Sequence, residues 1–85
     1  MTRPALSPEQ LLEDACRRFR CSAWAMFRRN PWGQLYRDAA LVRCRGVVWA
    51  WMVEHGCSYP EVALACGLKT HSTVVSGVRR FWRNA

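Results

Sequence analysis

Only one of the thirteen basic residues in this chain is a lysine, Lys69, and no aspartate or glutamate follows Glu61. The positive charge is therefore carried almost wholly by guanidinium groups, which present a planar fork suited to phosphate. A GC-rich genome would also favour Arg over Lys, but it would not explain where the charge sits. The last 24 residues, from Val62 to Ala85, hold Lys69, Arg79, Arg80 and Arg83 and no acid, and the net charge of the chain is +7. An acidic macromolecule is the natural partner for such a balance, nucleic acid first. Long apolar runs are also missing. The longest, Val47 to Val53, has seven residues and cannot cross a bilayer. The opening "MTRPALSPEQ" has no apolar core of a secretory signal. A cytoplasmic protein with no membrane association is expected.

Metal and nucleophile patterns are absent too. No C-x-x-C occurs, and His55 with Cys57 is the only close His/Cys pair, so no metal site is expected. Cys16, Cys21, Cys44, Cys57 and Cys66 are odd in number and scattered, a poor disulfide framework that reads more simply as free thiols. Cys57, Cys66 and His71 lie at helix ends without a third orienting group, and no "GxxxxGK(S/T)" phosphate loop is present. The expectation is a protein that is not an enzyme and uses no cofactor. Eighty-five residues leave room for a single domain, 1–85, close to the size at which one core is only marginally stabilising.

What is present is helical throughout. "LSPEQLLEDACRRFR" starts with Ser7 as N-cap, Pro8 at the first helical position and Gln10 in the capping-box place, predicting a helix to about Arg20. Its apolar residues Leu11, Leu12, Ala15, Cys16 and Phe19 share one face. Ser22 caps a short second helix that stops before "NPWG". Residues 38 to 55 read as one long helix ended by Gly56, and within it Trp49 and Trp51, roughly 200° apart, cannot face the same neighbours. "SYPE" supplies another capping box, Gly67 ends the fourth helix, and Thr70 is the expected N-cap of a fifth, striped by Val74, Val78 and Phe81. The fold class is all-α with about five helices.

Between the last two helices sits "GLKTHSTV", five consecutive polar residues from Lys69 to Thr73 in a chain that is 51% hydrophobic. A short helix, a Gly turn and a second helix led by polar side chains, over about 58–83, form the pattern of a helix-turn-helix. In that motif the leading residues of the second helix meet base edges in the major groove. The simpler reading is that the hydroxyls only satisfy free N–H groups at a helix start.

The stretch "SYPEVALACGLKTHSTVVSGVRR" resembles the C-terminal DNA-binding domain of the DnaA replication initiator family, whose signature runs close to "SLPEIG…FGGRDHTTV". "RCRG", Arg43 to Gly46, fills the place of the basic segment, close to "RPRQ", that leads into the family's long helix. With the first two helices also in the family's order, the resemblance covers nearly the whole chain. It implies a helix-turn-helix of the DnaA C-terminal, Trp-repressor-like type, bound to double-stranded DNA as a monomer and associated with the nucleoid. Lys69, Thr70, His71, Ser72 and Thr73 would face the major groove, Arg37 the minor groove, and Arg43 and Arg45 phosphates. Ser58, Ser76, Arg79 and Arg80 would touch the DNA backbone. Lys69 stands where the family has arginine and Thr70 where it has aspartate, and a hydroxyl donates or accepts where a carboxylate only accepts. Origin recognition, competition with an initiator for its sites, or control of transcription would follow. The alternative is an interaction module. Trp24, Trp32, Trp49, Trp51 and Trp82 are many for so small a core; filling it is the default role of each, but exposed ones would suit a protein partner.

Overall fold

The computed structural model describes residues 6–84; the two ends of the expected 1–85 domain, residues 1–5 and 85, lie outside the described residues. The described chain is all-α, with five helices: α1 Pro8–Phe19, α2 Ala23–Phe27, α3 Ala39–Glu54, α4 Tyr59–Ala65 and α5 Ser72–Arg83. Among the described residues the one isolated β pairing joins Arg29 to Leu35 across a loop. None of the described helices is long and apolar enough to cross a membrane.

Local chemistry explains most of the boundaries. Ser7 and Gln10 form a reciprocal capping box at α1, as do Ser58 and Glu61 at α4, and the Ser22 hydroxyl accepts from the Ala25 N–H at α2. Gly56 and Gly67, at φ 102° and 72°, close α3 and α4. In both cases the amide beyond the glycine reaches back into the last turn, Cys57 to Met52 O and Leu68 to Ala63 O, which is the Schellman arrangement. α1 ends in the same way, Cys21 N reaching back to Cys16 O, but with Arg20 in the left-handed region at φ 54°, where no glycine signals the stop.

α3 is the strut. Val48, Trp49, Ala50 and Met52 are buried along it, and α1, α2, α4 and α5 all pack on it. Trp49 is 2% exposed, stacks on Phe27 with ring centroids 6.3 Å apart, and lies against α5. A Cβ at Gly77 would stand 2.7 Å from the Trp49 ring carbons Cε3 and Cζ3, so the absence of a side chain there lets α5 seat on the indole. Trp51 points elsewhere, as the helical period requires: it is half-buried, stacked on His55 at 3.9 Å, with the Arg18 guanidinium 5.6 Å from its ring centre. Core filling holds for Trp49 and partly for Trp51, but Trp24, Trp32 and Trp82 are 71%, 82% and 45% exposed.

All five cysteines are free thiols, with Cys21, Cys57 and Cys66 buried. Cys21 Sγ donates to Cys44 Sγ at 2.6 Å, joining the end of α1 to α3. Burial, then the neighbouring Cys44 thiol, pushes the Cys21 pKa up. Burial likewise pushes the Cys66 thiol up to about 11, partly opposed by its interaction with the Trp49 side chain. That indole Nε1 is itself buried and has no partner in hydrogen-bonding geometry.

Two outcomes follow from this core. Gly77→Ala gains up to about 1 kcal/mol of helix propensity but overpacks the indole at a cost of about 1–3 kcal/mol. We expect a net loss of stability, read as a lower urea midpoint; an unchanged or higher midpoint would show that α5 can shift without penalty. Cys66 has a folded pKa near 11 against an ordinary 9.0, so the folded state holds its proton where the unfolded state has lost it. Its contribution is complete below about pH 9 and is lost as pH rises toward 11. At about 1.4 kcal/mol per pKa unit, the loss is on the order of 2–3 kcal/mol. Thermal melts from pH 8 to 11 should therefore fall less steeply for Cys66→Ala than for the native chain, and parallel curves would exclude the thiol as the cause.

Candidate functional site

The loop of residues 28–38, α3 from Ala39 to Trp49, and the turn before α5 together with one face along the length of α5 enclose an open groove of about 1110 Å³. Its charged lining is entirely cationic: Arg29, Arg37, Arg43, Arg45, Lys69 and Arg80. Thr70, Ser72, Thr73 and Ser76 from the α5 side supply hydroxyls, Gln34 and Asn84 supply amides, and Trp49, Gly46 and Phe81 lie among the apolar lining. Segments some forty residues apart in sequence thus face each other because both rest on α3.

α5 begins later than Thr70. Its N-cap is His71, at φ −88° and ψ −4°, and His71 makes no side-chain cap bond. Thr70 is therefore not the cap, contrary to the sequence expectation. In the connection 66–71 the chain has already been turned by Gly67, so Thr70 lies outside the position from which a hydroxyl reaches the second or third helical N–H. No side-chain hydrogen bond among the described residues involves Lys69, Thr70, His71, Ser72 or Thr73. All five are exposed. These polar groups are not consumed by the helix start.

The basic segment of α3 also departs from expectation. Arg43 and Arg45 stand inside α3, as the helix read over 38 to 55 requires, and not in the basic loop leading into it that the resemblance implies. Arg43 is exposed, whereas Arg45 is 7% exposed and donates from Nη1 to Met26 O at 2.8 Å and from Nη2 to Tyr36 O at 2.7 Å. Burial, then the charge of Arg37, lowers its pKa. Arg45 forms part of the groove floor and is occupied with two carbonyls, so it is not the phosphate ligand that the resemblance implies. It satisfies an end carbonyl of α2 and fixes the loop just before Arg37.

The expected residues divide accordingly. Arg37, Arg43, Lys69, Thr70, Ser72, Thr73, Ser76 and Arg80 come together around the groove. His71 and Arg79 are exposed but not among its lining, and Ser58, whose hydroxyl accepts from the Glu61 N–H, lies outside it as the cap of α4. Arg29, Gln34 and Asn84 belong to the lining without having been expected. The loop that brings in Arg29 and Gln34 carried only turn signals, and nothing in their spacing pointed to this place.

No protein-family model, curated protein or solved structure matches the chain.

The division between Arg43 and Arg45 is directly measurable. Removing Arg45 leaves the buried Met26 carbonyl and the part-buried Tyr36 carbonyl without their charged donor, a cost of about 1.5–3 kcal/mol for the buried bond and less for the other. Arg45→Ala should lower the thermal midpoint markedly, while Arg43→Ala should leave it within a degree or two. Equal melts for the two variants would mean that the Arg45 bonds do not hold the loop.

Proposed function

We propose that this protein is a sequence-specific binder of double-stranded DNA, acting in replication origin recognition or its regulation as its resemblance to the initiator C-terminal domain implies. The observation that carries the reading is the meeting of an acid-free cationic groove with an α5 leading turn whose polar side chains are exposed and unengaged. A solvated surface would ordinarily mix both signs of charge, and a helix start would ordinarily use its hydroxyls as caps. In this reading Arg29, Arg37, Arg43, Arg79 and Arg80 neutralise phosphates, with Arg37 reaching toward the minor groove. Lys69 to Thr73 offer the major groove short donors and acceptors, and the Thr73 methyl suits a thymine methyl. Ser76 and Arg79, further along the exposed side of α5, extend the backbone contacts. Arg45 positions the loop and touches no phosphate.

Exposed Trp24 and Trp82 favour a second reading, in which the domain is an interaction or adaptor module that binds a protein partner. Neither residue lines the groove, so the two roles occupy different surfaces.

Fluorescence anisotropy on duplex DNA, with selection from a random library, separates the readings. Five cations on phosphates predict that log K falls with log[salt] at a slope of about −4 to −5. Loss of a base contact costs about 1–3 kcal/mol on the preferred site. His71→Ala and Thr73→Ala should therefore erase discrimination while leaving salt-sensitive residual binding. Thr70→Asp should shift the selected motif toward cytosine at one position. No binding at 50 mM salt, or a slope near zero, would remove the DNA reading and promote the protein partner.

A further inference from the structure

The loop between α2 and α3 holds one side chain out into solvent. Trp32 is 82% exposed, more than any other large apolar residue described. Its backbone is nonetheless closely tied. Asn30 Oδ1 accepts from the N–H groups of Trp32 and Gln34 at 3.0 and 2.9 Å, Asn30 N donates to Gln34 O at 2.8 Å, and Gly33 N donates to Asn30 O at 2.9 Å. Arg29 Nη1 donates to Gly33 O at 2.7 Å, and Gly33 takes the φ of 79° that closes the turn. At the root of the loop the Arg28 guanidinium lies over both Trp24 and Tyr36, 4.9 and 4.6 Å from their ring centres. A loop bound this way holds its tip in place, so little ordering remains to be done when a partner arrives.

Arg29, Gly33 and Gln34 of this loop line the cationic groove, and Trp32, the chain neighbour of Gly33, is exposed and not part of that lining. We infer that Trp32 is a stacking wedge for the nucleic acid in that groove, its indole entering the duplex from the minor-groove side and unstacking one base step. The inference rests on the DNA-binding reading and deepens it. Protein-binding tryptophans sit in apolar patches that exclude water. Around Trp32 the loop instead presents Arg29, Asn30 and Gln34, and the groove beside it carries no carboxylate. An indole has one N–H donor and otherwise only faces to offer, and the faces that a nucleic acid offers in return are its bases. Apolar wedges that unstack a step kink the duplex, and pyrimidine–purine steps yield most easily.

Three duplexes of equal length test this, one with a central TA step, one with an AA step and one with a single mismatch. Binding is read by anisotropy over a range of salt, and bending by energy transfer between end labels. The native chain should prefer the TA and mismatched duplexes by about tenfold, the scale of one base–aromatic stack, and should shorten their end-to-end distance. Trp32→Ala should lose the preference and the bend with its salt slope unchanged, since no charge is removed. Trp32→Phe should recover most of both. Helical circular dichroism should be the same for all three proteins, because the indole is 82% exposed. If Trp32→Ala keeps the preference and the bend while binding persists, the wedge is overturned and the DNA-binding reading stands. If the native chain binds none of the duplexes, the reading beneath the wedge is overturned with it.

Discussion

The seating of α5 on the Trp49 indole fixes where everything else in the groove can be. Burying an indole removes roughly 200 Å² from water, on the order of 5 kcal/mol at about 25 cal/mol per Å², and this is an upper figure because the unfolded chain already hides some of that surface. Against it stands the buried Nε1–H without a partner in hydrogen-bonding geometry, at about 1–3 kcal/mol. The apolar gain is larger, and it is available only because Gly77 presents no Cβ to the ring. Gly46, on α3, repeats the same economy nearby, where an added Cβ would lie 3.2 Å from Phe81 Cβ. Two glycines inside helices weaken each helix slightly, and the close crossing of α3 and α5 offsets that loss.

The other wall of the groove hangs from α3 by different chemistry. Arg45 crosses to the Met26 and Tyr36 carbonyls, joining the end of α2 and the end of the loop to the same helix that carries Trp49. Arg45 is thereby used in architecture, as in part is Arg29 through its bond to Gly33 O, whereas Arg37, Arg43, Lys69 and Arg80 make no side-chain hydrogen bond among the described residues. The angle of roughly 200° that separates Trp49 from Trp51 separates Arg43 from Arg45 as well, and it has the same consequence: one faces inward and one outward. An Arg-x-Arg pattern on a helix with one buried face does not by itself give two surface charges.

The helix starts were legible because capping boxes are local: Ser7 with Gln10 and Ser58 with Glu61 act within four residues. The stops at Gly56 and Gly67 were legible for the same reason, since a left-handed residue there needs no distant partner. Thr70 was misplaced because the connection after Gly67 holds several residues able to cap, and the packing of Val74 and Val78 decides which register α5 takes. The excess of tryptophan could be counted, but which rings stay outside depends on short elements, α2 and the loop after it, that bury only Met26 fully. In the groove, the α5 side was visible as a polar run with no helical reason for it. Arg29 and Gln34 were not, because a loop bent back by Asn30 and Gly33 brings them there and side-chain spacing along the sequence does not.

Because the two walls are held by a buried apolar contact and by buried hydrogen bonds, added salt acts on them weakly. Screening at physiological ionic strength extends over about 8 Å of solvent and reaches buried pairs far less than exposed ones. Arg29, Arg37, Arg43, Lys69 and Arg80 are exposed and take the full effect. The groove therefore keeps its shape while its field fades, and a change of affinity with salt reports the surface cations alone. The opposite design, walls held by exposed ion pairs, would loosen geometry and field together, and base discrimination would fade with affinity. Here the separation of roles leaves the α5 leading turn and the loop that carries Trp32 on one groove at every ionic strength at which the core is folded, so that in the proposed DNA-binding reading selectivity is set by a frame that phosphate contacts would not have to build.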